Sequence, residues 1–120
     1  MPRGNQFQRE QILRGIMTLL ILKMLSEKPM HGYSLQNSIS EVVKRELPQG
    51  TIYVLLKSLE KRGLIAIYET KEERDKKLYT ITAKGTQFLM GHKEPLSIAR
   101  EIMEDLIQFI REMETPDSAQ

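Results

Sequence analysis

Residues 48–65 read PQGTIYVLLKSLEKRGLI, and both ends of one helix are written into them. Pro48 stands outside the helical pattern, and Gly50 or Thr51 can serve as N-cap. Gly63 follows Lys61 and Arg62, two cations that suit the negative end of a helix dipole. At ~100° per residue, Ile52, Leu55, Leu56 and Leu59 share one face. Val54, Lys57 and Lys61 point the other way, flanked by Tyr53 and Ser58, and no acid intervenes before Glu60. One face is therefore core, and the other can present hydrogen-bond donors, cations and an aromatic ring to a polyanion, as a helix entering a nucleic-acid groove must.

Upstream, residues 9–26 hold helix formers almost without a breaker, and Ile12, Leu13, Ile16, Met17, Leu19–Leu22, Met24 and Leu25 cover nearly the whole helix circumference. A helix apolar all round is buried on more than one side, which in so short a chain calls for a second subunit. Residues 27–32 read as a turn stopped by Pro29. A second helix follows with Tyr33, Leu35, Ile39, Val42 and Val43 as its apolar members, and its mostly uncharged polar residues suit a helix lying close to other surfaces.

Downstream of Gly63 the period changes to two. Ile65 and Ile67 alternate with Ala66 and Tyr68, and after the charged run 71–77 Leu78, Thr80 and Thr82 alternate with Tyr79 and Ile81, which predicts a β-hairpin with a polar tip. Helix, turn, helix and hairpin in this order give an α+β, mainly α, winged helix-turn-helix. Thr82 to Gly85 open a short helix that breaks near Gly91. The last long helix, from about Pro95 to Met113, carries apolar residues over an arc of roughly 180°, where packing on a single core needs nearer ~100°. A second copy of the chain covers that excess, whereas a membrane surface fits poorly with an acidic polar half. The expected organisation is a loose arm over 1–8, the DNA-binding domain over 9–92, a C-terminal dimerisation helix over 93–114 and a disordered tail over 115–120.

Composition agrees with a single globular domain of 120 residues, 40% hydrophobic and 28% charged. Charge is unevenly spread: residues 44–93 hold eleven Lys and Arg against six acids, and residues 94–120 hold two against seven. The middle suits an anionic partner and the tail another task. With no cysteine and two distant histidines, His31 and His92, no zinc ligand set is in view, and no catalytic arrangement of Ser, His and acid or glycine-rich phosphate loop is recognisable. No apolar run reaches membrane-spanning length, so the expected location is cytoplasmic.

The chain resembles the PadR family of transcriptional regulators, in its short form with one C-terminal dimerisation helix. The resemblance rests on His31-Gly32-Tyr33, Gly50-Thr51-Ile52-Tyr53, Leu55-Leu56, Leu59-Glu60, Gly63-Leu64-Ile65, Lys77 to Thr82 and Lys84-Gly85, in order over residues 30–85. It implies a homodimeric repressor on a palindromic operator, with the third helix in the major groove, the wing on the adjacent backbone, and release by a small planar or hydrophobic effector. The chain departs from the family in having Val54 where Pro is frequent, and Glu72, Glu73 and Asp75 where the wing is often Gly- and Arg-rich. An acidic tip predicts a wing that skims the backbone.

Candidate DNA contacts are then Tyr33, Ser34, Gln49, Thr51, Tyr53, Val54, Lys57, Ser58 and Lys61, with Lys71, Arg74, Lys76 and Lys77 on the wing. Candidate dimer contacts are Ile16, Leu20 and Met24 on the first helix and Ile102, Met103, Leu106, Phe109, Ile110 and Met113 on the last. No cofactor is expected. The expected partners are double-stranded DNA, a second copy of the chain and the effector, with no membrane. A winged-helix module that docks on protein and leaves DNA alone is the alternative.

Overall fold

The computed structural model describes residues 2–44, 47–48, 50–69 and 77–114. Their elements are α1 (Pro2–Glu27), β1 (Met30–His31), α2 (Gly32–Val43), α3 (Thr51–Lys61), β2 (Ile65–Glu69), β3 (Lys77–Ile81), α4 (Ala83–Met90) and α5 (Lys93–Glu114). The winged helix-turn-helix expected from the order of periods is present.

α1 begins at Pro2, so the stretch 1–8 expected as a loose arm is helical from its second residue. Proline is tolerated in a first helical turn because its missing N–H would have no partner there, and the polar residues that follow do not break a helix. Met17, Ile21, Leu22 and Leu25 are buried, and Leu13, Leu20 and Met24 pack at the edge of the same core. Ile12, by contrast, is 65% exposed.

The segment expected to be only a turn contains β1. Met30 pairs with Tyr79 and His31 with Leu78, so the sheet is three-stranded and antiparallel in the order β1-β3-β2. Two residues show no periodicity of their own, and this strand exists only because β3 supplies its partners. In the hairpin, Ile65 pairs with Ile81 and Ile67 with Tyr79, which puts these four on one face as the alternation requires.

α3 is closed at both ends by glycine. Gly50 (φ 88°) is the N-cap, and the Val54 N–H donates to its carbonyl at 3.0 Å. At the other end Gly63 (φ 75°) completes a Schellman motif, with the Leu64 N–H donating to Leu59 O at 3.0 Å and the Gly63 N–H to Glu60 O at 2.9 Å. Ile52, Leu55, Leu56 and Leu59 are all buried, against Leu35 and Ile39 of α2 and the α1 stripe in one core. The face read as core is core.

α4 is fastened to this corner. The Thr82 hydroxyl accepts the Gly85 N–H at 3.0 Å and donates to Gly63 O at 2.8 Å, and the Lys84 ammonium donates to Arg62 O at 3.1 Å. The Arg62 guanidinium lies 4.9 Å from the centre of the Phe88 ring.

The chain divides into two units, Met1–Leu89 and Met90–Gln120. In the second unit no residue of α5 is buried, and Ile102, Leu106, Phe109, Ile110 and Met113 are each more than half exposed. Ala99, Met103, Leu106, Ile110 and Met113 follow one another in alternating steps of four and three residues, the spacing of a coiled-coil seam. Among the described residues no helix is long and apolar enough to cross a membrane.

Candidate nucleic-acid interface

The outward face of α3 is as open as its inward face is closed. Tyr53 and Val54 are 46% and 56% exposed, and Lys57, Ser58 and Lys61 are exposed beside them. No acid stands in the first turn, so the positive end of the helix dipole adds to the lysines. Thr51 is half-buried, and because Gly50 takes the capping position the Thr51 hydroxyl is not the cap.

The start of α2 lies against this face through Gly32. A Cβ built on Gly32 would come 2.7 Å from Tyr53 Cε1 and 3.3 Å from its hydroxyl, so only glycine lets the Tyr53 ring sit here. Tyr33 is 70% exposed and Ser34 is exposed, both at the first turn of α2. On the wing side, His31 Nδ1 lies 3.1 Å from Lys77 O, a geometry in which Nδ1–H donates to the carbonyl and ties the root of α2 to β3. Together His31, Gly32, Tyr33, Ser34, Tyr53, Lys77 and Tyr79 enclose an open cavity of about 460 Å³. Helix, turn and wing root thus meet in one place, lined by groups that donate hydrogen bonds.

A second, smaller concavity of about 170 Å³ lies where α1 meets α3, lined by Arg14, Met17, Thr51, Val54 and Leu55. Arg14 and Tyr79 were not among the residues expected at the site. α1 reads as a core and interface helix and Tyr79 as a strand residue, and only tertiary packing brings either beside α3. Lys77 is exposed at the root of the wing, whereas Gln49, Lys71, Arg74 and Lys76 lie outside the described residues. Of the expected dimer contacts, Ile16, Leu20 and Met24 are half-buried, and Leu20 and Met24 already pack on their own core. Among the described residues no three His, Cys, Asp or Glu side chains are grouped as a metal site would need.

The chain is similar to known proteins over most of its length. The chain is 32% identical over 101 residues to the transcriptional regulator YqjI of Escherichia coli, an alignment covering 82% of this chain and 48% of YqjI, so the chain spans about half the length of that relative. Among solved structures, the TA0346 protein of Thermoplasma acidophilum is 43% identical, with a TM-score of 0.74 over 84% of this chain and 97% of that one. A PadR-like transcriptional regulator of Bacillus cereus, BC4206, is 27% identical, with a TM-score of 0.67 over 82% and 97% of the two chains. The model of the transcriptional regulator PadR-like family matches residues 21–90, from the last two turns of α1 to the end of α4. A match over more than half of the chain, on the winged fold that solved relatives share, makes this protein a member of the PadR-like family of transcriptional regulators rather than an enzyme.

Proposed function

We propose that the protein is a sequence-specific repressor that binds a palindromic operator as a homodimer. The observation that carries this reading is the outward face of α3, where Tyr53, Val54, Lys57, Ser58 and Lys61 stand exposed on a helix whose opposite face is wholly buried. Side chains so held can reach base edges while the rest of the helix stays fixed. Tyr33 and Ser34 at the start of α2 and the wing lysines then hold the phosphate backbone, with Arg74 beside them. These contacts set register and carry no base information.

The exposed apolar seam of α5 supports the dimer, because a contiguous apolar stripe on a protein surface marks a docking face and this one has coiled-coil spacing. Two copies would then place two α3 helices on half-sites about one helical turn, ~34 Å, apart. The reading extends to a small planar or hydrophobic effector, whose binding and that of DNA must weaken each other by the same factor. The test is selection of bound sequences from a random DNA pool, followed by titration of the selected duplex at several salt concentrations. Recovery of a two-fold symmetric site bound by two chains is expected. An interaction module that works through protein alone would enrich no sequence.

A further inference from the structure

The small concavity where α1 meets α3 opens beside the outward face of α3, and its lining has a definite chemistry. Met17 and Leu55, both buried, form an apolar floor. Half-buried Thr51 and exposed Val54 stand at the rim, both in the first turn of α3, the end of a recognition helix that meets base edges. The other wall is Arg14. Met17, Ile21 and Leu25 make the buried stripe of α1, and Arg14 is the next position of that stripe, three residues before Met17. There the stripe leaves the core, and Arg14 is exposed beside the start of α3. No acid lines the concavity, so this wall offers positive charge and hydrogen-bond donors to whatever rests on the floor. Size narrows the occupant further. At about 170 Å³ the concavity falls well short of the roughly 300 Å³ at which pockets for drug-sized ligands begin. An apolar cavity of about 150 Å³ takes a single benzene ring.

We propose that this concavity is a socket for the 5-methyl group of a thymine in the major groove, with the Arg14 guanidinium donating to O4 of the same base. This rests on the DNA-binding reading and deepens it, since it names one base that each half-site must hold and a reader that lies outside α3. Among the four bases only thymine presents a methyl group with an acceptor beside it. The apolar floor takes the methyl, and Arg14, which can only donate, takes O4. Cytosine fails on both counts, because it has no methyl and its N4 amino group sets a donor against a donor.

Deoxyuridine removes the methyl and keeps both O4 and the pairing with adenine. Each thymine of the operator selected from the random pool is replaced by it in turn, and the affinity is measured. One thymine per half-site should respond, with a loss of about fourfold in one half-site and about sixteenfold in both, the effect of leaving one methyl group in water. The salt dependence should not change, because no phosphate contact is lost. In Val54→Ala, whose rim is open, thymine and deoxyuridine duplexes should bind alike within about twofold. 5-Methylcytosine at the same position, paired with guanine, keeps the methyl but not the acceptor, and it should cost at least about tenfold in the wild type and far less in Arg14→Ala. An operator that binds with no thymine sensitive to deoxyuridine overturns the socket and leaves DNA binding intact. So does a deoxyuridine effect undiminished in Val54→Ala, or a rejection of 5-methylcytosine undiminished in Arg14→Ala. In a second arm benzoate, a one-ring carboxylate, is titrated without DNA while the amide resonances of Thr51, Val54 and Leu55 are followed. Saturable shifts there, with no deoxyuridine-sensitive thymine, give the concavity to a free ligand and overturn the proposal. If the wild type enriches no sequence, the DNA-binding reading and the socket fall together.

Discussion

Two glycines should respond to the same methyl group with opposite signs. A Cβ at Gly85 would run into the Leu64 carbonyl oxygen and lie 2.8 Å from Ile81 Cγ1, closer than real side chains approach. The carbonyl is backbone at the end of the α3 Schellman turn and has nowhere to go. Gly85→Ala must therefore lift α4 from the corner and stretch the Thr82 cap, whose hydroxyl holds the Gly85 N–H at 3.0 Å. Overpacking costs about 1–3 kcal/mol and a weakened cap about 1 more, for a loss of about 2–4 kcal/mol. In a unit of this size that corresponds to a melting temperature lower by roughly 10–25 °C. Gly15 is exposed in the interior of α1 with nothing within 4 Å of its added Cβ, so Gly15→Ala should stabilise by about 0.5–1 kcal/mol through the lower entropy of the unfolded chain. Urea unfolding followed by circular dichroism measures both. A Gly85→Ala variant as stable as wild type would refute the close seating of α4, and a destabilised Gly15→Ala would refute the open helical position.

Leu106→Asp puts a carboxylate at the centre of the α5 seam in both copies, where burying each unpaired charge costs several kcal/mol, so dimer dissociation should rise by at least about a thousandfold. Light scattering at micromolar concentration checks this, and a wild-type chain that is already monomeric there ends the dimer reading. Tyr79 predicts an alkaline limit to stability. Burial first, then Glu60 and Tyr53, raise its pKa above 10.0 in the folded chain, so the folded state keeps this proton when the unfolded chain has lost it. The contribution is whole below pH 10 and disappears as pH rises through the folded value; a Tyr79→Phe variant with the same loss of stability between pH 9 and 11 would sink the assignment.

What could be read in advance was whatever is local. The α3 segment carries its own caps and its own face, so its limits and its buried residues follow from eighteen letters. The hairpin strands were legible because Ile65 and Ile67 alternate with Ala66 and Tyr68. β1 was not, because Met30 and His31 become a strand only by pairing with residues nearly fifty positions later. The helical start of α1 was hidden by polar residues whose propensity is neutral. At the site, the outward residues of α3 could be named from spacing alone. Gly32 was recognised only as part of a motif, and the physical reason for it, the Tyr53 ring lying where a Cβ would be, exists only in three dimensions. Arg14 and Tyr79 belong to the same class, since neighbours that packing creates leave no periodic trace.

The central claim is that α3 reads sequence while the wing only attracts, because the outward α3 face is free of acids before Glu60 and the wing alternates basic residues with Glu72, Glu73 and Asp75. Competition titration of operator against scrambled duplex separates the two. Val54→Ala or Ser58→Ala should lower the ratio of specific to random affinity by about 1–3 kcal/mol for each base edge that α3 no longer reads. Lys76→Ala should weaken both duplexes equally and flatten the salt dependence by about one phosphate per wing. A ratio untouched by the α3 substitutions but collapsed by Lys76→Ala would contradict the account and move the reading element to the wing.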